Sequence, residues 1–299
     1  MTISHYLKDI GRGKDGARSL DRAQAADLFG QLLDGSVSDL ELGAFCLAMR
    51  IKGETPEEMA GFLDATAART AKVPSGGQVA VVLPSYNGAR KLPVLTPLLA
   101  LLLAREGLPV LVHGTPTESR RVGSAEVLAL LGVAVDNTMQ PLLPGQVRFV
   151  PTGVLNPGLQ RLLEVRQVIG LRNSAHSLVK LMNPCDGDAL VVSSYTHPEY
   201  LLSMGATFEL TGQRAMLLRG TEGEPVADAR RLPQIDVFLH GQRRCVQEAQ
   251  GGSLAALPEL PAIDAASTAA WIGAVLAGER PLPEPVARQV AHVVQAAQA

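Results

Sequence analysis

Bases gather in several places along this chain where phosphates could be held. Lys8, Arg12, Lys14, Arg18 and Arg22 lie near the amino terminus, separated by Gly11, Gly13 and Gly16 and outnumbering Asp9, Asp15 and Asp21. Lys14 and Arg18 are four apart, so they share a face if that stretch is helical. Such a cluster can grip a nucleic-acid backbone, drawing affinity from counterion release. The commoner fate of these residue types is a solvated, charge-mixed helix start. Arg90 and Lys91, with Arg120 and Arg121, form a second set whose plain alternative is loop solubility. A third set, Arg161, Arg166, Arg172 and Lys180, is opposed in sequence only by Glu164, with interdomain ion pairing as the other role open to Arg161 and Arg166.

Other reactive types are scattered rather than assembled. His113 precedes a glycine, and His176 and His197 stand near Ser174, Ser177 and Thr196 without a His-Glu-x-x-His spacing or a cysteine partner. Buried, hydrogen-bonded histidines are the expectation. Ser85 lies between Pro84 and Tyr86 and lacks the Gly-x-Ser-x-Gly elbow of a hydrolase. Cys46, Cys185 and Cys245 form neither a zinc spacing nor a disulfide framework, which fits a reducing cytoplasm. Nothing here supports nucleophilic catalysis, and no catalytic residue is assigned.

The elements that must position these residues fall into two parts. Residues 1–73 read as helical throughout, with Ala26, Phe29, Leu32 and Leu33, then Leu42, Phe45, Cys46 and Met49, at helical spacing. Asp21 offers an amino-terminal cap, Gly35 a stop, Ser38 with Glu41 a capping box, and Thr55-Pro56 a third start. Ser75-Gly76-Gly77 is a hinge. Beyond it the period changes: Val79–Leu83 is a β-branched apolar run of the kind buried on both faces of a parallel sheet. Further strands are expected at Pro109–Val112, Val133–Val135, Ala189–Ser193, Ala215–Leu218 and around Val237, with helices at Pro97–Arg105 and from Ser124. Gln250–Pro261 is a loop, and 267–277 and 284–297 read as closing helices. Strands alternating with helices predict an α/β domain over 78–299 with a mostly parallel sheet, beside a small helical domain over 1–73 joined by part of 165–182. The loops bearing Arg90/Lys91 and Arg120/Arg121 then leave consecutive strand carboxyl ends, where open parallel sheets hold ligands.

Composition limits the possibilities. The 299 residues are 46% hydrophobic and 19% charged, enough for a sizeable core. The formal charge of −2 excludes a bulk polycation, so nucleic-acid binding must come from local patches. Aromatics are only 4%, with one Trp, which argues against a long base-stacking platform. The start lacks a signal-peptide pattern, and the apolar run Leu92–Ala104 contains two prolines and is too short to span a bilayer. A cytoplasmic protein with no membrane partner is expected.

Three stretches together resemble the anthranilate phosphoribosyltransferases and their nucleoside phosphorylase relatives. They are Arg50-Ile51-Lys52-Gly53-Glu54-Thr55, His113-Gly114 followed by Gly123–Val133, and Gly170-Leu171-Arg172-Asn173 through Leu181-Met182-Asn183-Pro184. The resemblance covers most of the chain and implies a transferase-like fold and a homodimer formed through the small helical domain. It places a vestigial substrate site at Asn87, Gly88, His113, Gly114 and Arg166, the last matching the arginine that meets the aromatic acid.

The departures bear on function. Where the family has a Gly-Thr-Gly-Gly-Asp loop around a diphosphate, this chain has Pro84-Ser85-Tyr86-Asn87-Gly88-Ala89-Arg90-Lys91, and a close backbone approach to phosphate favours glycine. The family's adjacent Asp-Glu metal pair is replaced by Gly220-Thr221-Glu222-Gly223-Glu224. The wording of these loops, with Arg172–His176 and Thr196–Tyr200, is similar to the YbiB-type branch. That resemblance implies nucleic-acid binding, to DNA or RNA, with little sequence preference and no cofactor, through Lys8, Arg12, Lys14, Arg18, Arg90 and Lys91. The alternative is a phosphoribosyl or glycosyl transferase with a degenerate diphosphate site, in which Glu222 and Glu224 hold magnesium.

Overall fold

The computed structural model describes every residue except Met1, Lys14, Thr117 and Ser119. The helical unit opens with α1 (Ser4–Ile10), α2 (Arg22–Asp34), α3 (Asp39–Lys52) and α4 (Pro56–Ala67). Asp21, Ser38 and Thr55 each accept a hydrogen bond from the third helical N–H in capping boxes, and Gly35 ends α2 in the left-handed conformation. The helical reading of 1–73 needs one correction. Between α1 and α2 the chain runs through turns, with the Arg18 N–H donating to the Asp9 carbonyl, so Arg18 lies on no regular helix. Glycines at 11, 13 and 16 make a continuous helix there costly. Phe29, Phe45 and Phe62 meet at the centre of the bundle, Phe29 and Phe62 stacked with centroids 4.5 Å apart.

The second unit is built on β1 (Ala80–Pro84), α5 (Thr96–Arg105), β2 (Val110–Gly114), α6 (Ser124–Leu130), β3 (Val147–Pro151) and α7 (Thr152–Leu155). The chain then returns to the bundle through α8 (Pro157–Ile169) and α9 (Ala175–Leu178). There Leu159, Leu162 and Leu163 join the same apolar cluster as Leu28, Phe29 and Leu32. β4 (Ala189–Tyr195), α10 (Pro198–Thr211), β5 (Ala215–Arg219), β6 (Ile235–Leu239), β7 (Gln242–Gln247), α11 (Ala265–Leu276) and α12 (Glu284–Gln298) complete it.

The strands form one seven-stranded sheet in the order β3-β2-β1-β4-β5-β6-β7. β1 to β5 are parallel, and β6 and β7 add antiparallel. This is the mostly parallel α/β architecture expected from the alternating pattern. One strand differs: Val133–Val135 is not a sheet strand, Val135 making only an isolated bridge to Phe149, and the edge position belongs to β3. From β1 the chain steps outward to β2 and β3, whereas from β4 it steps the other way. The sheet therefore reverses direction between β1 and β4, and the crevice beyond their carboxyl ends is where such sheets bind ligands.

Candidate functional site

Four loops meet at that reversal point: 85–95 after β1, 115–123 after β2, 196–197 after β4 and 220–224 after β5. Parallel pairing holds Pro84 beside His113, and the Gly114 backbone passes so close to the Ser85 carbonyl that a Cβ there would lie 1.8 Å from the oxygen. Gly114 is thus a packing requirement. His113 is fully buried, and its Nδ1 lies 2.8 Å from the Tyr86 hydroxyl, which also meets the Thr152 hydroxyl. Burial pushes the imidazole down to about 3, so it stays neutral. Tyr86 is buried against the apolar cluster of the bundle, so its bulk does not fill the crevice.

The crevice is filled by the chain's own carboxylates. The Glu224 carboxylate, buried, accepts from the backbone N–H of Asn87 at 2.8 Å and of Gly88 at 2.9 Å, and from the hydroxyls of Ser85 and Thr96. The Glu222 carboxylate accepts from the N–H groups of Arg90 at 2.7 Å, Lys91 at 3.1 Å and Leu92 at 3.3 Å. The loop carrying both acids is itself fixed: the Asn87 amide donates to the Glu222 carbonyl, and the Lys180 ammonium and Ser194 hydroxyl donate to the Gly223 carbonyl at 2.8 Å each. Gly223 has φ +87°, and a Cβ there would sit 2.0 Å from the Asn87 amide nitrogen, so only glycine fits. Glu222 and Glu224, the alternative magnesium ligands of the sequence reading, thus already serve the chain's own donors. Their oxygens face N–H and O–H donors, and the described residues contain no group of three or more His, Cys, Asp or Glu arranged to hold a metal. The residues present do not fit the ion.

A second ion cluster spans the two units. Glu118 meets Arg166 at 2.8 Å, Arg121 at 2.9 Å and Arg172 at 3.8 Å. Although desolvation works against it, the hydrogen bonds from Arg166 and Arg121 hold its carboxyl down at about 2. The sequence reading that only Glu164 opposes these bases is corrected: Glu118 is the partner of Arg166 and Arg172, while Lys180 donates to the Gly223 carbonyl. Arg161 instead donates to the Leu32 carbonyl at the end of α2.

Beside this cluster opens a cleft of about 280 Å³ between the bundle and the end of β4, with Arg50, Arg172, His176, Lys180, His197 and Tyr200 in its wall. Burial pushes the Lys180 ammonium down to about 8, opposed by Glu224. His176 is pushed to about 4, first by burial and then by Arg172 and Arg166. Glu54 is the acid of this wall, and it is hydrogen-bonded by the Ser174 hydroxyl.

The remaining sequence candidates lie elsewhere or at the surface. Arg90, Lys91 and Arg120 are exposed at the rim, while the backbone N–H groups of Arg90 and Lys91 are tied to Glu222. Lys8, Arg12 and Arg18 are exposed at and beyond the end of α1, Arg12 reaching Asp9 at 3.4 Å. Lys14 lies outside the described residues. Arg22 is taken by Asp64 at 2.6 Å.

The helical-bundle domain of a glycosyl transferase family matches residues 4–70. The protein YbiB of Escherichia coli K12 is 42% identical over 97% of this chain and 93% of its own length. The chain belongs to the YbiB-type, glycosyltransferase family 3-like proteins. An anthranilate phosphoribosyltransferase of Acidothermus cellulolyticus is 29% identical over 88% of this YbiB-type chain and 76% of its own length. Among solved structures, the anthranilate phosphoribosyltransferase of Thermus thermophilus superposes with TM-score 0.71 at 23% identity, covering 98% of this chain and 88% of that one. The Saccharomyces cerevisiae enzyme in complex with PRPP and Mg gives 0.69 at 12% identity, over 99% and 88%. These structures show a shared fold. Within the described residues, no helix of the YbiB-type chain is long and apolar enough to cross a membrane.

Proposed function

We propose that this YbiB-type protein is a homodimer that binds nucleic acid through its phosphate backbone with little sequence preference. The observation that carries the reading is how its bases are divided. Those in the crevice, Arg121, Arg166, Arg172 and Lys180, are engaged with the protein's own acids and carbonyls. Lys8, Arg18, Arg90 and Lys91 face solvent, as does Arg12 although it also meets Asp9 and the Lys8 carbonyl. A surface so divided offers cations to an extended polyanion and not to a small enclosed one. Supporting the dimer, Leu40, Leu47 and Ile51 on α3 are 83%, 50% and 59% exposed. Leu47 and Ile51 line an apolar groove with Leu7 and Ile10 of α1. A stripe of that kind on a folded unit is the mark of an interface, and a two-fold axis through it duplicates the basic segment beyond α1.

A gel-shift salt series on random-sequence duplex and single strands tests the reading. Log affinity falls linearly with log salt, by about 0.9 per neutralised phosphate on duplex DNA. Arg12→Ala with Arg18→Ala weakens binding to all sequences alike and flattens the slope by roughly one unit per lost contact. An unchanged slope moves the site to Arg90 and Lys91; no binding at low salt ends the proposal. The cationic interdomain cleft favours a second reading, a phosphoribosyl or glycosyl transferase. Consumption of phosphoribosyl diphosphate above background, measured beside the gel shifts, would select it.

A further inference from the structure

We propose that the 220–224 loop is an intramolecular plug: Glu222 and Glu224 are resident anions in a cradle that would otherwise take a free oxyanion of phosphate or diphosphate size. Five backbone N–H groups, from residues 87, 88, 90, 91 and 92, and the hydroxyls of Ser85 and Thr96 converge on the two carboxylates. Backbone N–H groups turned toward one point form an anion-binding concavity, and a carboxylate satisfies it as a phosphate oxygen would. The acceptors come from a segment at least 128 residues away in sequence, so the cradle is closed by tertiary placement and not by its own turn.

The plug has the geometry of a part held in place against resistance. Glu222 sits at φ 53° in the left-handed region, which a non-glycine side chain adopts at a cost, and its neighbour Gly223 is at φ +87°. That conformation carries the Glu222 carboxylate to Arg90 and Lys91 while the Asn87 amide grips its carbonyl. Lys180 and Ser194 hold the Gly223 carbonyl from the far side. The two acids differ in their standing. Glu224 is buried and serves four donors, so it is a permanent part of the core. Glu222 is half-buried and contacts only the rim N–H groups, so it is the displaceable half. This inference does not depend on nucleic-acid binding, since none of the plug's contacts uses the solvent-facing side chains of Arg90 and Lys91.

Glu222→Gly removes the carboxylate and keeps the left-handed backbone; Glu222→Gln keeps an acceptor oxygen at the same place. Amide hydrogen exchange, read residue by residue with and without inorganic pyrophosphate, separates them. In Glu222→Gly the amides of Arg90 and Lys91 exchange roughly tenfold faster than in the unaltered protein, and pyrophosphate restores their protection with saturation. The unaltered protein and Glu222→Gln show slow exchange at these amides and no further slowing with pyrophosphate. Unchanged protection in a folded Glu222→Gly overturns the proposal, as does failure of pyrophosphate to restore it. Equal protection by pyrophosphate in the unaltered protein overturns it too.

Discussion

Lys52 and Glu58 show how a motif that looks functional in sequence serves the fold. The Glu58 carboxylate is fully buried; it accepts from the Lys52 ammonium at 2.6 Å, the Thr55 N–H at 2.9 Å and the Leu20 N–H at 2.9 Å. One residue thereby joins the end of α3, the start of α4 and the entry to α2. Glu58→Gln leaves a buried ammonium without its counter-charge, and breaking such a pair costs roughly 3 kcal/mol or more. Urea unfolding is expected to show a lower midpoint with an unchanged slope; a midpoint within error of the parent would mean that the pair contributes nothing net. His113 makes a second prediction. Its folded value of about 3 lies below its ordinary 6.5, so the neutral form is the one folding favours. Its contribution is therefore complete above pH 6.5 and fades as pH falls toward 3, amounting to about 2 kcal/mol lost by pH 5. His113→Asn should remove that part of the acid sensitivity when unfolding is compared at about pH 8 and pH 5. Equal loss in the two proteins would show that the histidine is charged in the folded state.

At the scale of elements, the helices announce themselves through their ends. Asp21 accepts from the Gln24 N–H at 2.8 Å while the Gln24 side chain returns a bond to the Asp21 N–H. Asp21→Ala should cost about 1 kcal/mol and Asp21→Ser almost none, as read by thermal or urea unfolding. Such caps are local chemistry, which is why α2, α3 and α4 were legible from sequence together with the inner strands β1, β2, β4 and β5. β6 was legible around Val237 as well, but the edge strands β3 and β7 were not. β3 contains Arg148, and its register, Val112 beside Phe149, is chosen by β2 and not by its own residues. β7 is mostly polar because it is an exposed edge, and it follows a two-residue turn with His240 and Gly241 both at positive φ. Val133–Val135 is more apolar than either, yet it loses to pairing across the sheet. The site divides the same way. Its loops could be located by strand order, but the meeting of Glu222 with Arg90 and of Glu118 with Arg166 joins distant segments, and no local spacing encodes it.

For the whole molecule, the charge balance of −2 means that no diffuse positive field draws in a polyanion, so the proposed binding rests on local patches and on their proposed duplication. Leu47→Glu with Ile51→Glu places charge on the apolar stripe of α3, where both side chains are exposed and neither supports the bundle core. The double variant should stay folded, scatter light as a monomer at micromolar concentration and bind DNA with a shallower salt slope than the parent. A parent that is itself monomeric would remove the duplicated surface on which the proposed function depends.

Two of the three chain crossings between the helical unit and the sheet, the ones that leave the bundle, run side by side. The Val73 N–H donates to the Pro184 carbonyl, the Asp186 N–H donates back to the Val73 carbonyl, and the Lys72 ammonium reaches the Asn183 carbonyl. Both departures from the bundle are therefore stitched into one seam, and the bundle draws Leu159, Leu162 and Leu163 from between them. As a piece of genetic text the bundle is a split word. A fragment ending at the first crossing would carry α1 to α4 with an open apolar flank. A residue added to or deleted from one crossing would strain the seam until the other crossing shifted to match, so these two distant stretches should change length together or not at all.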